Sequence, residues 1–304
     1  MRHKLIRLAG VVSVCSLSAS SCASAPADPV WGNSGPSSRV STSATPISRV
    51  PTSAAPTSAA VPAPALTTVP PTTAAAVRTL VGLGDSIPAG DNCPGCATFV
   101  DLFGQELARL AGNQVDVHNL GIGGWTTADL LDSLRPGSVD AATVQNADVV
   151  TVTIGANDFY PQLQTYLAGS CPGLDCFAPV LTDLQGTLTA VLARIAELQA
   201  GRHAQVLVTG YWDIFPDGDV AQALYGRNFL ADSAAVSRQA DDVIRSVATA
   251  TGARYVDLYS AFRGPDGTAD TTGLLSDDGD HPNQDGHRVI AAALAASLAT
   301  TPAG

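Results

Sequence analysis

The sequence predicts an α/β domain of three layers: a doubly wound, flavodoxin-like fold with five parallel strands in the order 2-1-3-4-5 and helices on both faces. Three observations carry this. Five short β-branched or apolar runs alternate with segments of helical spacing, the pattern of a parallel sheet with crossover helices. The run Ala147 to Ile154 is dominated by β-branched residues after Asp148, as a strand buried on both faces can be. Two runs, Val77–Leu83 and Ala147–Ile154, end abruptly in Gly-Asp-Ser and Gly-Ala-Asn-Asp, at the strand-to-loop junctions where open sheets of this kind place ligands.

Taken in order, Val77 to Leu83 is the first strand, followed by a loop through Ser86. Phe99, Leu102, Phe103, Leu107 and Leu110 recur at helical spacing up to Gly112. Gln114 to Leu120 alternates as a second strand and runs into Gly121-Ile122-Gly123-Gly124-Trp125. Thr126 or Thr127 caps a helix through Leu134. Ala147 to Ile154 is the third strand, followed by helices at Pro161–Leu167 and Val180–Ala200. Gln205 to Gly210 is the fourth strand, Asp219 to Ala250 is helical with a break near Gly226, and Ala253 to Leu258 is the fifth strand. An alanine-rich helix from Gln284 to Leu298 ends the domain.

The domain does not begin at residue 1. Arg2, Lys4 and Arg7 precede an apolar stretch, Leu8 to Leu17, and Ala23-Ser24-Ala25 is an A-x-A site, so residues 1–25 read as an export signal. The competing reading is lipidation at Cys22, which follows small residues but lacks a leucine three positions upstream. The apolar stretch is too short for a membrane span, and no later segment is expected to reach that length. Residues 26–76 are rich in Pro, Ser, Thr and Ala and bury too little apolar surface to offset their ordering entropy, so they read as a disordered tether. This leaves 77–304 as the folded domain. The protein is expected outside the cell or at the cell envelope.

Of the 27 acidic residues only Asp28 precedes residue 77, against five of the 16 basic ones, so the domain carries 26 against 11, a formal charge of −15. Such a surface argues against nucleic acid and anionic membranes as partners. Lys4 is the only lysine, which removes Ser-Lys and Schiff-base chemistry from the mature chain. Four cysteines lie in the domain. Cys93-Pro94-Gly95-Cys96 forms a natural turn, and Cys171 and Cys176 bracket another Pro-Gly, so local disulfides 93–96 and 171–176 are expected in an exported chain. A four-thiolate zinc site is the rival reading.

One histidine stands out as a base. His118 lies within the second strand, where a buried, hydrogen-bonded ring is expected; His203 is in a polar turn, and His287 is on the last helix. His281 sits in an aspartate-rich loop, with Asp278 three residues upstream and able to accept a hydrogen bond from Nδ1 while Nε2 faces a nucleophile. Ser86 is inert at its own pKa and needs such a base. Attack on an ester creates an oxyanion, for which the Ser86 amide, an amide from Gly121–Gly124 and the Asn157 side chain are candidate donors. Each also has an ordinary reading, the glycine run as a turn and Asn157 as a strand-end cap. Asp85, Asp158, Asp277 and Asp280 read as structural or solvated.

Gly84-Asp85-Ser86, Asn119–Gly124, Gly155–Asp158 and Asp278–His281, in that order, resemble the four blocks of the SGNH (GDSL) hydrolase family of secreted esterases and lipases. The resemblance covers essentially all of 77–304. It implies Ser86 as nucleophile, Gly124 and Asn157 as oxyanion donors beside the Ser86 amide, His281 as base and Asp278 as its orienter. Alignment on Asn119 selects Gly124 over Gly123. Trp125 departs from the small or acidic residue common there, which implies an altered acyl pocket. No G-x-S-x-G elbow is present.

The expected activity is hydrolysis of carboxylic esters by a monomer, with no cofactor and no metal. Small-molecule, lipid and glycan esters all remain open as substrates. Few aromatics and no long lid favour a modest acyl pocket and soluble esters. Two other readings stand beside it: acyl transfer to a glycan acceptor, and a non-catalytic envelope protein on this fold.

Overall fold

The computed structural model describes residues 78–299 except 172 and 203. The signal, Cys22, the tether and His203 lie outside the described residues. Five parallel strands form one sheet in the order β2-β1-β3-β4-β5, as the sequence predicts. They are β1 (Arg78–Gly84), β2 (Val115–Gly121), β3 (Val149–Thr153), β4 (Gln205–Thr209) and β5 (Arg254–Val256). All of β3 is buried, and so are the last five residues of β1. Register brings Gly84 level with Gly121 on one side and with Thr153 on the other. Three loops therefore leave the sheet at one height.

The helices are α1 (Ser86–Ala89), α2 (Phe99–Ala111), α3 (Thr127–Ser133), α4 (Val139–Gln145), α5 (Tyr160–Leu167), α6 (Ala178–Leu198), α7 (Gly218–Tyr225), α8 (Arg227–Thr251), α9 (Leu258–Arg263) and α10 (Gln284–Ala299). On one side α10 packs on α2 and α9, and on the other α6 packs on α8, α3 and α4. The helices α2 and α3 start at capping boxes, Thr98 with Asp101 and Thr126 with Asp129, where side chain and backbone satisfy each other's free donors. The break expected near Gly226 is present between α7 and α8.

The structure departs from the sequence reading in a few places. The helices α1, α4 and α9 are too short for periodicity to reveal. The fifth strand is only three residues long because Asp257 caps α9 through Ser260 N. His118 is not buried: β2 is the edge strand, and the ring is about two fifths exposed beside Asp116. Leu174–Leu198, contrary to expectation, is long and apolar enough to pass for a membrane span. Within it Leu184, Leu188, Val191, Leu192 and Ile195 form one buried stripe, the pattern of a helix lying on a core.

Candidate active site

Ser86 begins α1 at the carboxyl end of β1. The Asp85 carboxylate accepts from Ile87 N and caps the short helix, and Gly90, at φ 80, closes it with its N–H on the Ser86 carbonyl. The turn is possible because Gly84 has φ 143 and no side chain; a Cβ there would lie 1.8 Å from Thr153 O. That carbonyl accepts from Asp85 N at 3.1 Å.

The three level loops are tied to one another. Ile122 N donates to Gly84 O at 3.0 Å, joining the glycine run to the serine turn. Asn157 Nδ2 donates to Trp125 O at 2.9 Å, joining the β3 turn to the glycine run. The neighbouring Asp158 accepts from both the N–H and the hydroxyl of Thr127, so the structural role read for it holds. The second N–H of Asn157 is left free by the Trp125 bond. Trp125 packs against the core and is not among the residues that line the cavity described next.

Ser86, Gly124, Asn157 and His281 line one cavity of about 210 Å³. Its apolar wall is made by Ile87, Leu163, Ile214 and Phe215, with Tyr160 at the rim. Asp278 stands behind His281, Oδ2 lying 2.6 Å from Nδ1. A carboxylate only accepts, so Nδ1 carries the proton and Nε2 is left as an acceptor. Asp278 Oδ1 accepts from the amides of Asp280 and His281.

The electrostatics follow from this packing. Burial raises the Asp278 pKa, but the His281 bond and the two amides outweigh it and hold the carboxyl well below the usual carboxylate range. Burial lowers the His281 pKa, yet the Asp278 bond and the charges of Asp280, Asp278 and Asp91 more than compensate, so it is raised above the ordinary histidine value. Asp280 is pushed up to about 6, chiefly by burial, with His281 opposing and Asp278 adding to the rise.

Other residues around the cavity were not legible as site residues. The Tyr211 hydroxyl donates to Asp85 Oδ2 at 2.5 Å, and Ala156 N donates back to that hydroxyl. Burial, only partly offset by the Tyr211 and Ile87 bonds, pushes Asp85 up to about 7. Arg263 donates to Asp213, Asp217 and the Trp212 carbonyl, bracing the loop after β4 that supplies Ile214 and Phe215 to the apolar wall. Asp217 N in turn donates to Gly279 O at 2.7 Å, inside the turn that carries His281. These partners lie tens of residues apart, and only the fold brings them together.

Cys93 and Cys96 stand with Cα atoms 5.5 Å apart, and Cys171 and Cys176 with theirs 5.8 Å apart, both suited to a disulfide. Among the described residues no three His, Cys, Asp or Glu side chains gather in a metal-binding arrangement.

A model of the GDSL-like lipase/acylhydrolase family matches residues 83–289. No curated protein sequence matches the chain. Among solved structures, a lipase from a goat rumen metagenome is 19% identical with a TM-score of 0.56, covering 73% of this chain and 97% of its own. An α/β-hydrolase enzyme from the metagenome of Lake Arreo, Spain, is 24% identical with a TM-score of 0.52 and coverage of 75% and 98%. An acetylxylan esterase from Geobacillus stearothermophilus is 21% identical, also with a TM-score of 0.52 and coverage of 75% and 98%. At these identities the likeness is one of fold.

Proposed function

Because the chain belongs to the GDSL-like lipase/acylhydrolase family, we propose that it is a serine esterase that hydrolyses carboxylic esters with short acyl chains. The observation that carries this is the shared cavity: Ser86, Gly124, Asn157 and His281 line it, and Asp278 fixes the tautomer of His281 from behind.

In the first step His281 Nε2 takes the hydroxyl proton as Ser86 Oγ bonds to the ester carbonyl carbon. The negative charge that develops on the carbonyl oxygen is met by the Ser86 and Gly124 amides and the free Asn157 N–H. The imidazolium then protonates the departing alkoxide, leaving an acyl-serine and a free alcohol. Water repeats the sequence: His281 takes its proton, the carboxylic acid leaves, and Ser86 Oγ recovers the proton. Asp278 stays ionised throughout and supports the imidazolium, as its depressed pKa allows.

The small cavity supports short acyl chains. The carboxylates of Asp91 and Asp280 along it, with no Lys or Arg among the lining residues, favour neutral over anionic esters. Acetyl groups on a neutral sugar fit both conditions, and one structural neighbour is described as an acetylxylan esterase. The basic and apolar start of the chain and the two cysteine pairs support action outside the cell.

The test is a panel of p-nitrophenyl esters of increasing chain length together with acetylated xylan, run beside fluorophosphonate labelling. Rates should be highest for the shortest acyl groups, and Ser86→Ala should lose both labelling and hydrolysis while keeping its melting temperature. Hydrolysis retained by Ser86→Ala overturns the mechanism; a preference for long chains overturns the substrate class.

A further inference from the structure

Between α1 and α2 the chain passes through Asp91-Asn92-Cys93-Pro94-Gly95-Cys96-Ala97. Asn92 has φ 57 and is the only non-glycine residue with a positive φ among the described residues. Asparagine tolerates this conformation better than most residues, but it still has a cost. Here it accompanies a contact across the fold: Asn92 Nδ2 lies 2.6 Å from Asp278 Oδ2 and 3.1 Å from His281 Nδ1. The carboxylate can only accept, so the amide nitrogen donates to it. His281 Nδ1–H donates to the same oxygen, and the two donors converge on Oδ2.

The other donors to Asp278 all come from its own turn, namely the His281 ring and the amides of Asp280 and His281. They shape the turn but cannot set where it stands relative to Ser86. Asn92 can. Its loop starts at the serine: Gly90 N and Asp91 N both donate to Ser86 O, at 3.0 and 3.1 Å. The far end of the loop is fastened just beyond His281, where Gln284 accepts from Ala97 N and donates to Ala97 O. Between these anchors Cys96 N donates to Cys93 O in a tight turn. The loop therefore spans from the serine backbone to the acid–base turn and is held at both ends.

We propose that Asn92 is a positioning residue: its amide holds the Asp278–His281 pair in register with Ser86, from the loop that begins at Ser86 itself. This rests on the Ser86–His281–Asp278 mechanism given above. Two consequences separate the role from simple structural support. Asn92 does not line the cavity, so its loss acts on proton transfer and leaves substrate binding alone. It also shares Oδ2 with the imidazole; without it that oxygen serves His281 alone, and the imidazolium is favoured. The groups facing His281 in this balance are Asp278 and Asp280 from its own turn, Asp91 from the Asn92 loop, Asp85 from the end of β1 and His287 from α10.

The experiment uses the full chain with p-nitrophenyl acetate. Asn92→Gly keeps the left-handed backbone and removes only the amide. It should lower kcat about three- to tenfold, the scale of one hydrogen bond, with KM unchanged and the acid limb of the pH profile moved upward. Asn92→Asp keeps the shape but sets a carboxylate against Asp278, and should lower kcat further and move the limb further in the same direction. Wild-type kcat and pH profile in Asn92→Gly overturn the proposal, and so does an effect confined to KM or a limb that moves downward. Ser86→Ala, run in parallel, separates the two failures. If it still hydrolyses the ester, the mechanism itself is wrong; if it is inactive while Asn92→Gly is normal, only the role of Asn92 is wrong.

Discussion

Replacing Gly84 with alanine should unseat Ser86, the proposed nucleophile, without altering any of the proposed site side chains. The new methyl would be 1.8 Å from Thr153 O and 3.1 Å from Pro88 Cγ, and the backbone sits at φ 143, where side chains are strained. The obstacle is a strand carbonyl, not a flexible side-chain end, so β1 and β3 must part. The strain contributes about 1–3 kcal/mol, and a buried Asp85 N–H cut off from Thr153 O adds about 1–3 kcal/mol. Against a total stability of about 5–15 kcal/mol this is a large fraction. For a domain of this size each kcal/mol shifts Tm by about 2–4 °C, so a fall of roughly 10 °C is expected. Gly137→Ala is the control: its φ is 84, but a Cβ there meets nothing within 4 Å, so it should lose only about 1–2 kcal/mol of stability to backbone strain and keep its rate. Thermal unfolding and fluorophosphonate labelling of both variants decide the matter. Gly84→Ala melting within two degrees of wild type (about the shift of 0.5–1 kcal/mol) and labelling at the normal rate would refute the reasoning.

Asn157→Ala should lower kcat about 10²–10³-fold with little change in KM, read from ester hydrolysis, as loss of one oxyanion donor does. Activity should fall with decreasing pH as His281 protonates, and because its pKa is raised the midpoint of kcat/KM should lie above the ordinary value of ~6.5; a midpoint below that value contradicts the dominance of its carboxylate neighbours. His287 is buried, accepts from Phe99 N through Nδ1, and is pushed down to about 4 by burial. His287→Ala should therefore cost about 2–4 kcal/mol in denaturant unfolding at unchanged kcat, while His118→Ala, at the exposed edge, should do little to either. Non-reducing peptide mapping should find 93–96 and 171–176 linked; stoichiometric zinc with free thiols on denaturation would contradict this.

The sheet and the candidate site residues were legible because both are written locally. A strand buried on both faces announces itself as an unbroken β-branched run, as in Val149–Thr153, and parallel pairing follows from alternation with helices. Asp278 and His281 are three residues apart, so their pairing is visible in the spacing. His118 is exposed because its strand is the sheet edge, as the predicted order already implies; a position inside a strand does not by itself make a side chain buried. Leu174–Leu198 was missed as a span-like segment because its apolar residues are diluted by Thr, Asp and Gln on the outer face of α6. Asn92, Tyr211 and Arg263 carry no local signal at all. Their partners lie 186, 126 and about 50 residues away, and asparagine before a Cys-Pro-Gly turn reads only as part of the turn.

The site is joined in two different ways, and this determines how it fails. The serine turn, the glycine run and the Asn157 turn are locked mainly by backbone bonds at the level ends of three neighbouring strands: Ile122 N to Gly84 O and Asp85 N to Thr153 O, with the Asn157 amide on Trp125 O. The acid–base turn is joined to the loop that leaves the serine turn by side chains, Asn92 on Asp278 and Gln284 on Ala97, and to the loop after β4 by a backbone bond from Asp217 N to Gly279 O. A change in the block, such as Gly84→Ala, should displace Ser86 and the proposed oxyanion donors together and lower stability with activity. A change at the docking contacts leaves that block standing and alters only how the proton is passed. Stability and rate should therefore fall together for substitutions in the first set and separate for those in the second.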